Sequence, residues 1–107
     1  MSSKRYEKEI VYVDPDYFDL VPGFLESRRN EIGKIKDCLR NGDFKEAHRL
    51  GHGMKGAGAG YGFDEISSIG KRIESAAKEE DAATVADALV SLEDYLEAVE
   101  VLPGSSE

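Results

Sequence analysis

Apolar residues return at spacings of three and four through most of this chain, the signature of helices that each bury one stripe. Between Tyr17 and Leu39 they are Leu20, Phe24, Leu25, Ile32, Ile35 and Leu39. Pro22-Gly23 interrupts the run, which predicts a short helical turn before Pro22 and a long helix after it. Asn41-Gly42 closes that helix, with a glycine able to take the left-handed conformation of a C-terminal cap. Asp43 followed by Glu46 reads as a capping box that opens a second helix, whose end is blurred by glycines between Gly58 and Gly62. A third helix is expected from about Asp64 to Glu80, with Ile66, Ile69, Ile73, Ala76 and Ala77 on one stripe. Asp81 is a good N-cap for a fourth, which carries Val85, Leu89, Leu92, Leu96 and Val99 and stops at Pro103-Gly104.

Ile10, Val11, Tyr12 and Val13 form a short apolar run that suits an extended segment. Nothing else in the chain reads as a strand, so this run is expected to lie as an arm against the body, with Asp14-Pro15-Asp16 turning the chain into the first helix. The expected fold class is all-α: an antiparallel up-down four-helix bundle over residues 16–102, preceded by an N-terminal arm and helical turn (residues 1–15 for the arm) and followed by a tail at 103–107.

Composition adds limits rather than chemistry. The 107 residues suffice for one domain. No apolar run approaches the roughly 18–20 residues of a membrane span, and the charged N-terminus lacks the apolar core of a signal peptide. Cys38 is the only cysteine, so no intramolecular disulfide can form, and its place in a helical pattern marks it as a small hydrophobe. A cytoplasmic home is the simple expectation. The net charge of −8 argues against nucleic acid and against anionic membranes as partners.

The second helix is unusual. Gly51, Gly53, Gly56, Gly58, Gly60 and Gly62 crowd into it or its end. Each helix-interior glycine costs ~1 kcal/mol relative to alanine, so half of them would cost roughly 3 kcal/mol. Close approach of a neighbouring helix or of a partner protein could offset that. On a wheel of about 100° per residue, Ala47, Leu50, Met54, Ala57 and Tyr61 gather opposite His52 as a core face. Lys45, His48, Lys55, Gly56 and Ala59 gather around His52, which should therefore point outward on a low, flat surface. A neutral imidazole is a good nucleophile near pH 7, because its ordinary pKa is about 6.5. Lys55, three residues on, can supply positive charge to phosphoryl oxygens, and Gly56 leaves room for a partner's loops. Between Arg40 and Lys55 four Lys/Arg face two Asp/Glu, so this stretch carries +2 and the rest of the chain −10. An exposed histidine on a helix usually has no role, but the adjoining Lys55-Gly56 and the flat face weigh against that here.

Other patterns carry less. Gly51-x-Gly53-x-x-Gly56 matches a dinucleotide motif only as a string, since no strand precedes it. Gly33-Lys34 and Gly70-Lys71 lack the rest of a phosphate-binding loop. His48 and His52 stand four apart, as metal ligands can, but no further ligand is placed to complete a set, and no metal site is expected. Ser105 and Ser106 lack the histidine and acid that nucleophilic hydrolysis needs. Arg28 and Arg29 read as a solvated basic pair, or as part of a docking surface near His52.

The segment His48-Arg49-Leu50-Gly51-His52-Gly53-Met54-Lys55-Gly56, continuing to Gly62-Phe63, resembles the histidine-containing phosphotransfer (HPt) domain family. That family's signature is a histidine, two residues, Lys-Gly, and a small-residue stretch ending in glycine before a hydrophobe. Ile66, Ile69 and Ile73-Glu74 followed by Ala76-Ala77 are similar to the family's next helix, and the resemblance covers about residues 17 to 100. Met54 stands where leucine is usual, a volume-conserving exchange. The resemblance implies a phosphorelay intermediate: His52 as phosphoacceptor, Lys55 as phosphoryl stabiliser, and Gly56, His48, Lys45 and Ala59 as the docking face. It implies receiver domains of response regulators or a hybrid histidine kinase as partners. It implies no cofactor of the protein's own, Mg²⁺ being supplied by the receiver, and no independent enzymatic turnover. A monomer is expected, since the apolar stripes can satisfy one another. Met1 and the polar tail favour a free-standing protein over a piece of a larger kinase. The competing reading is an adaptor bundle that docks receivers without accepting phosphate.

Overall fold

Two aspartates start helices where their spacing predicts. Asp43 accepts a hydrogen bond from the Glu46 backbone N–H at 3.1 Å, and Asp81 does the same for Thr84 at 3.1 Å. The computed structural model describes residues 5–104. In chain order the elements are strand β1 (Glu9–Val13), a 3-10 turn (Phe18–Leu20), helices α1 (Val21–Asn41), α2 (Phe44–Tyr61), α3 (Asp64–Lys78) and α4 (Ala82–Ala98), and strand β2 (Val99–Pro103). α1 begins one residue before Pro22 rather than after it. The proline sits in the first turn, where its missing N–H costs nothing. Gly42 and Gly62 cap α1 and α2 in the left-handed conformation, with φ of 69° and 83°.

The four helices pack around one core, α2 against α1 and α3, and α4 against α3 and α1. Ile35, Met54, Ile66, Ile73, Val85 and Leu92 are fully buried in it, and Cys38 is buried as a small hydrophobe. Ala47, Leu50 and Met54 of the expected α2 core face are buried, while Ala57 and Tyr61 are half-buried against the core. At one end of the bundle Phe24 stacks on Tyr61 and Phe63, with ring centroids 4.4 and 5.0 Å apart.

Two expectations need correction. The N-terminal run is not a lone arm: β1 pairs with β2 as a parallel two-stranded sheet, Val11 opposite Val101, and the Gly104 N–H donates to the Val13 carbonyl at 2.9 Å. Val99 therefore ends the fourth helix instead of extending it, with an extended backbone at ψ 133°. A parallel pair needs a long crossover, and here the whole helical bundle supplies it. A two-stranded sheet is marginal alone. This one persists because Val11, Val13, Val99 and Val101 rest on the core. The approach to β1 is also pinned: Arg5 donates to Asp87 at 2.7 Å and to Ser91 at 3.0 Å, and Tyr6 meets Tyr95 edge-on at 5.4 Å.

The second correction concerns Arg28, which is neither solvated nor on a docking face. It occupies a slot in the buried stripe Val21, Phe24, Arg28, Ile32, Ile35. Its guanidinium lies 4.6 Å from the Phe24 ring centroid, and its Nε is 2.7 Å from Glu31 Oε1. The ring face and the carboxylate together make burial of the cation tolerable. Arg29 is exposed and pairs with Glu26.

Candidate phosphoacceptor site

α2 and α3 approach so closely that a methyl group would not fit between them. A Cβ on Gly51 would lie 2.7 Å from the Glu74 backbone nitrogen, one on Gly70 2.5 Å from that of Lys55, and one on Gly58 2.6 Å from that of Ser67. These contacts run in opposite order along the two helices, so α2 and α3 are antiparallel. The Ser67 hydroxyl adds a 2.8 Å hydrogen bond to the Lys55 carbonyl. Three α2 glycines behave differently: Gly53, Gly56 and Gly60 have open space where a Cβ would stand. The fold therefore explains Gly51 and Gly58, while the other three leave the exposed face of α2 bare.

His52 lies between the Gly51 and Lys55 contacts and points outward, its side chain 66% exposed. α3 brings Glu74 against it. Glu74 Oε2 stands 2.6 Å from His52 Nδ1, and Oε1 stands 2.9 Å from Lys55 Nζ. His48, one turn before His52, has its Nε2 4.0 Å from the same Oε2. The Lys55 ammonium, then the His52 ring, hold the Glu74 carboxyl down at about 2, well below its ordinary value. An ionised carboxylate can only accept, so Nδ1 of His52 carries the ring proton and donates it. The lone pair of the neutral ring is then on Nε2, the nitrogen left free by this contact.

The expected site residues fall as follows. His52, Lys45, Gly56 and Ala59 are exposed, and His48 and Lys55 are partly so. Lys45, His48, Arg49, His52 and Glu74 line an open groove beside the imidazole. Lys55 holds Glu74 rather than pointing at empty solvent, which the spacing did not anticipate. Glu74 entered the sequence reading only within the Ile73-Glu74 stretch similar to the family's next helix, with no role at the site. A signal existed: Glu74 follows the interior glycine Gly70 by four residues, so it sits one turn along the same face of α3 that touches α2.

A compact helical bundle with one outward histidine, held from behind by a carboxylate on the next helix, defines a class of histidine-presenting module. A family model for the Hpt domain matches residues 19–101, and the chain belongs to that family. Comparisons with curated proteins and with solved structures find no match. No helix among the described residues is long and apolar enough to cross a membrane.

Proposed function

We propose that this protein is a phosphorelay intermediate that accepts a phosphoryl group on His52 Nε2 from a receiver-domain aspartate, or from a kinase, and passes it to another receiver. The observation that carries this reading is the hydrogen bond from His52 Nδ1 to Glu74, which leaves an exposed Nε2 lone pair on a rigid helix. In the transfer, Nε2 attacks the phosphorus of an aspartyl phosphate. The N–P bond forms, the acyl P–O bond breaks, and the aspartate leaves as carboxylate. The Nδ1 proton stays on the ring, whose new positive charge faces Glu74. Onward transfer reverses these steps with a second aspartate.

Lys55 is close enough to share its charge with the arriving phosphoryl oxygens. The bare strip at Gly53, Gly56 and Gly60 admits the partner's loops, and Lys45, His48 and Ala59 complete the docking face. The chain brings no kinase machinery; the Mg²⁺ and the catalytic carboxylates come with the receiver, which stabilises the near-in-line transfer. The protein works as a monomeric carrier.

The test is incubation with a phosphorylated receiver and Mg²⁺, scoring acid-labile, base-stable phosphate. Label on wild type and His48→Gln but not on His52→Gln, with helical content unchanged, is the expected result. Label on His52→Gln, or none on wild type with several receivers of the same cell, refutes the carrier role and favours the adaptor.

A further inference from the structure

The Glu74 carboxylate faces three nitrogen groups but bonds only two. Lys55 Nζ and His52 Nδ1 are within hydrogen-bond distance, while His48 Nε2, at 4.0 Å, is too far for a bond and near enough for an ion pair. As it stands, the site is balanced, one carboxylate against one ammonium. Phosphorylation of His52 upsets that balance. A dianionic phosphoryl group arrives and the ring gains one positive charge, so the site becomes more negative by about one charge near neutral pH. Lys55 is the cation that can follow the phosphoryl group, on a flexible stem and with a side chain 37% exposed. When it does, Glu74 loses the stronger of its two partners.

We infer that His48 is a positioning residue for the phosphorylated state: as Lys55 moves to the phosphoryl oxygens, His48 takes a proton from solvent and replaces it at Glu74. The inference rests on the phosphotransfer reading above. His48 then keeps Glu74 oriented toward Nδ1 while the ring carries its phosphoryl group, and it gives the proton back when the group leaves. The other charged groups around His48 do not fill this place. On the α2 side Arg49 is tied to Glu46 by two hydrogen bonds, and Lys45 and Asp43 line the groove without a bond to Glu74. On the α3 side Lys78 and, past the helix end, Glu80 line the adjoining groove on the far side of His48. All of them are present in both states, so what changes at His48 is the arrival of the phosphoryl group and the departure of Lys55 from Glu74.

The sign follows from linkage. A group that binds its proton more tightly in the phosphorylated state favours that state as pH falls. The experiment loads the purified protein with phosphoramidate, a small-molecule phosphoryl donor, and locates the label by phosphorus NMR. The His48 ring is then followed by proton NMR from pH 9 to pH 6, with and without the label. With phosphate on His52, the midpoint of the His48 titration is expected to move up by on the order of one pH unit, a tenfold tighter proton. In Glu74→Gln most of that movement should vanish, which a merely structural role for His48 would not produce. Phosphate on His52 with an unmoved His48 titration overturns this inference and leaves the carrier reading standing. Phosphate on His48 instead of His52 overturns both; a protein that phosphoramidate leaves unlabelled is loaded from a phosphorylated receiver with Mg²⁺, and no label from that donor either overturns both.

Discussion

Five glycines lie inside α2, and the structure divides them into two groups with opposite expected responses to a methyl group. Gly53→Ala places a Cβ in open space, so only helix propensity acts, and the folded state should gain about 1 kcal/mol. For a domain of this size that raises Tm by about 4–8 °C. Gly51→Ala earns the same propensity gain but drives its Cβ to 2.7 Å from the Glu74 backbone nitrogen, which no rotamer change can relieve. Overpacking of this kind costs about 1–3 kcal/mol, so the net effect should be a loss of up to about 2 kcal/mol. Gly70→Ala, aimed from the other helix at the Lys55 backbone at 2.5 Å, should behave the same way. Thermal and urea unfolding followed by circular dichroism would measure all three. If Gly51→Ala and Gly70→Ala stabilise as much as Gly53→Ala does, the two helices are not in backbone contact. The reason given for Glu74 reaching His52 would then be wrong as well.

Three further outcomes are expected. Glu80 holds a left-handed backbone at φ 54° just past α3, so Glu80→Gly should raise stability by about 1 kcal/mol in the same unfolding assay; no gain would mean the turn is not strained. Glu74, beside Lys55 and His52, and Asp87, beside Arg5 and Arg72, are both held at about 2 in the fold, below ordinary values of 4.5 and 3.8. Their contribution is complete above those ordinary values and is lost as pH falls toward 2. An acid titration should therefore show stability declining over that window, with a flatter slope in the Glu74→Gln, Asp87→Asn double variant. Lys55→Met should keep the fold and slow phosphoryl transfer to His52 about tenfold or more; transfer at the wild-type rate would confine Lys55 to holding Glu74.

Much of this molecule was legible from residue order. Helix positions followed from periodicity, their starts from Asp43 and Asp81, and their ends from Gly42 and Gly62, because caps and stripes are local physics within a few residues. The outward direction of His52 and the Lys55-Gly56 pair beside it were readable for the same reason. What tertiary structure alone decided involves partners distant in sequence. The stretch Val99-Glu100-Val101-Leu102 after Ala98 fits a helix end as well as a strand, and only β1, some ninety residues earlier in register, selects the strand. Arg28 looked solvated until the packing put Phe24 under its guanidinium. The α2 glycines all looked alike; the neighbouring helix alone separates Gly51 and Gly58, which must be bare to pack, from Gly53, Gly56 and Gly60, which are bare toward solvent. The same contact carries Glu74 to His52 across 22 positions and so decides which imidazole nitrogen is free. A tautomer depends on a hydrogen bond, and this one exists only because two helices are close enough to touch.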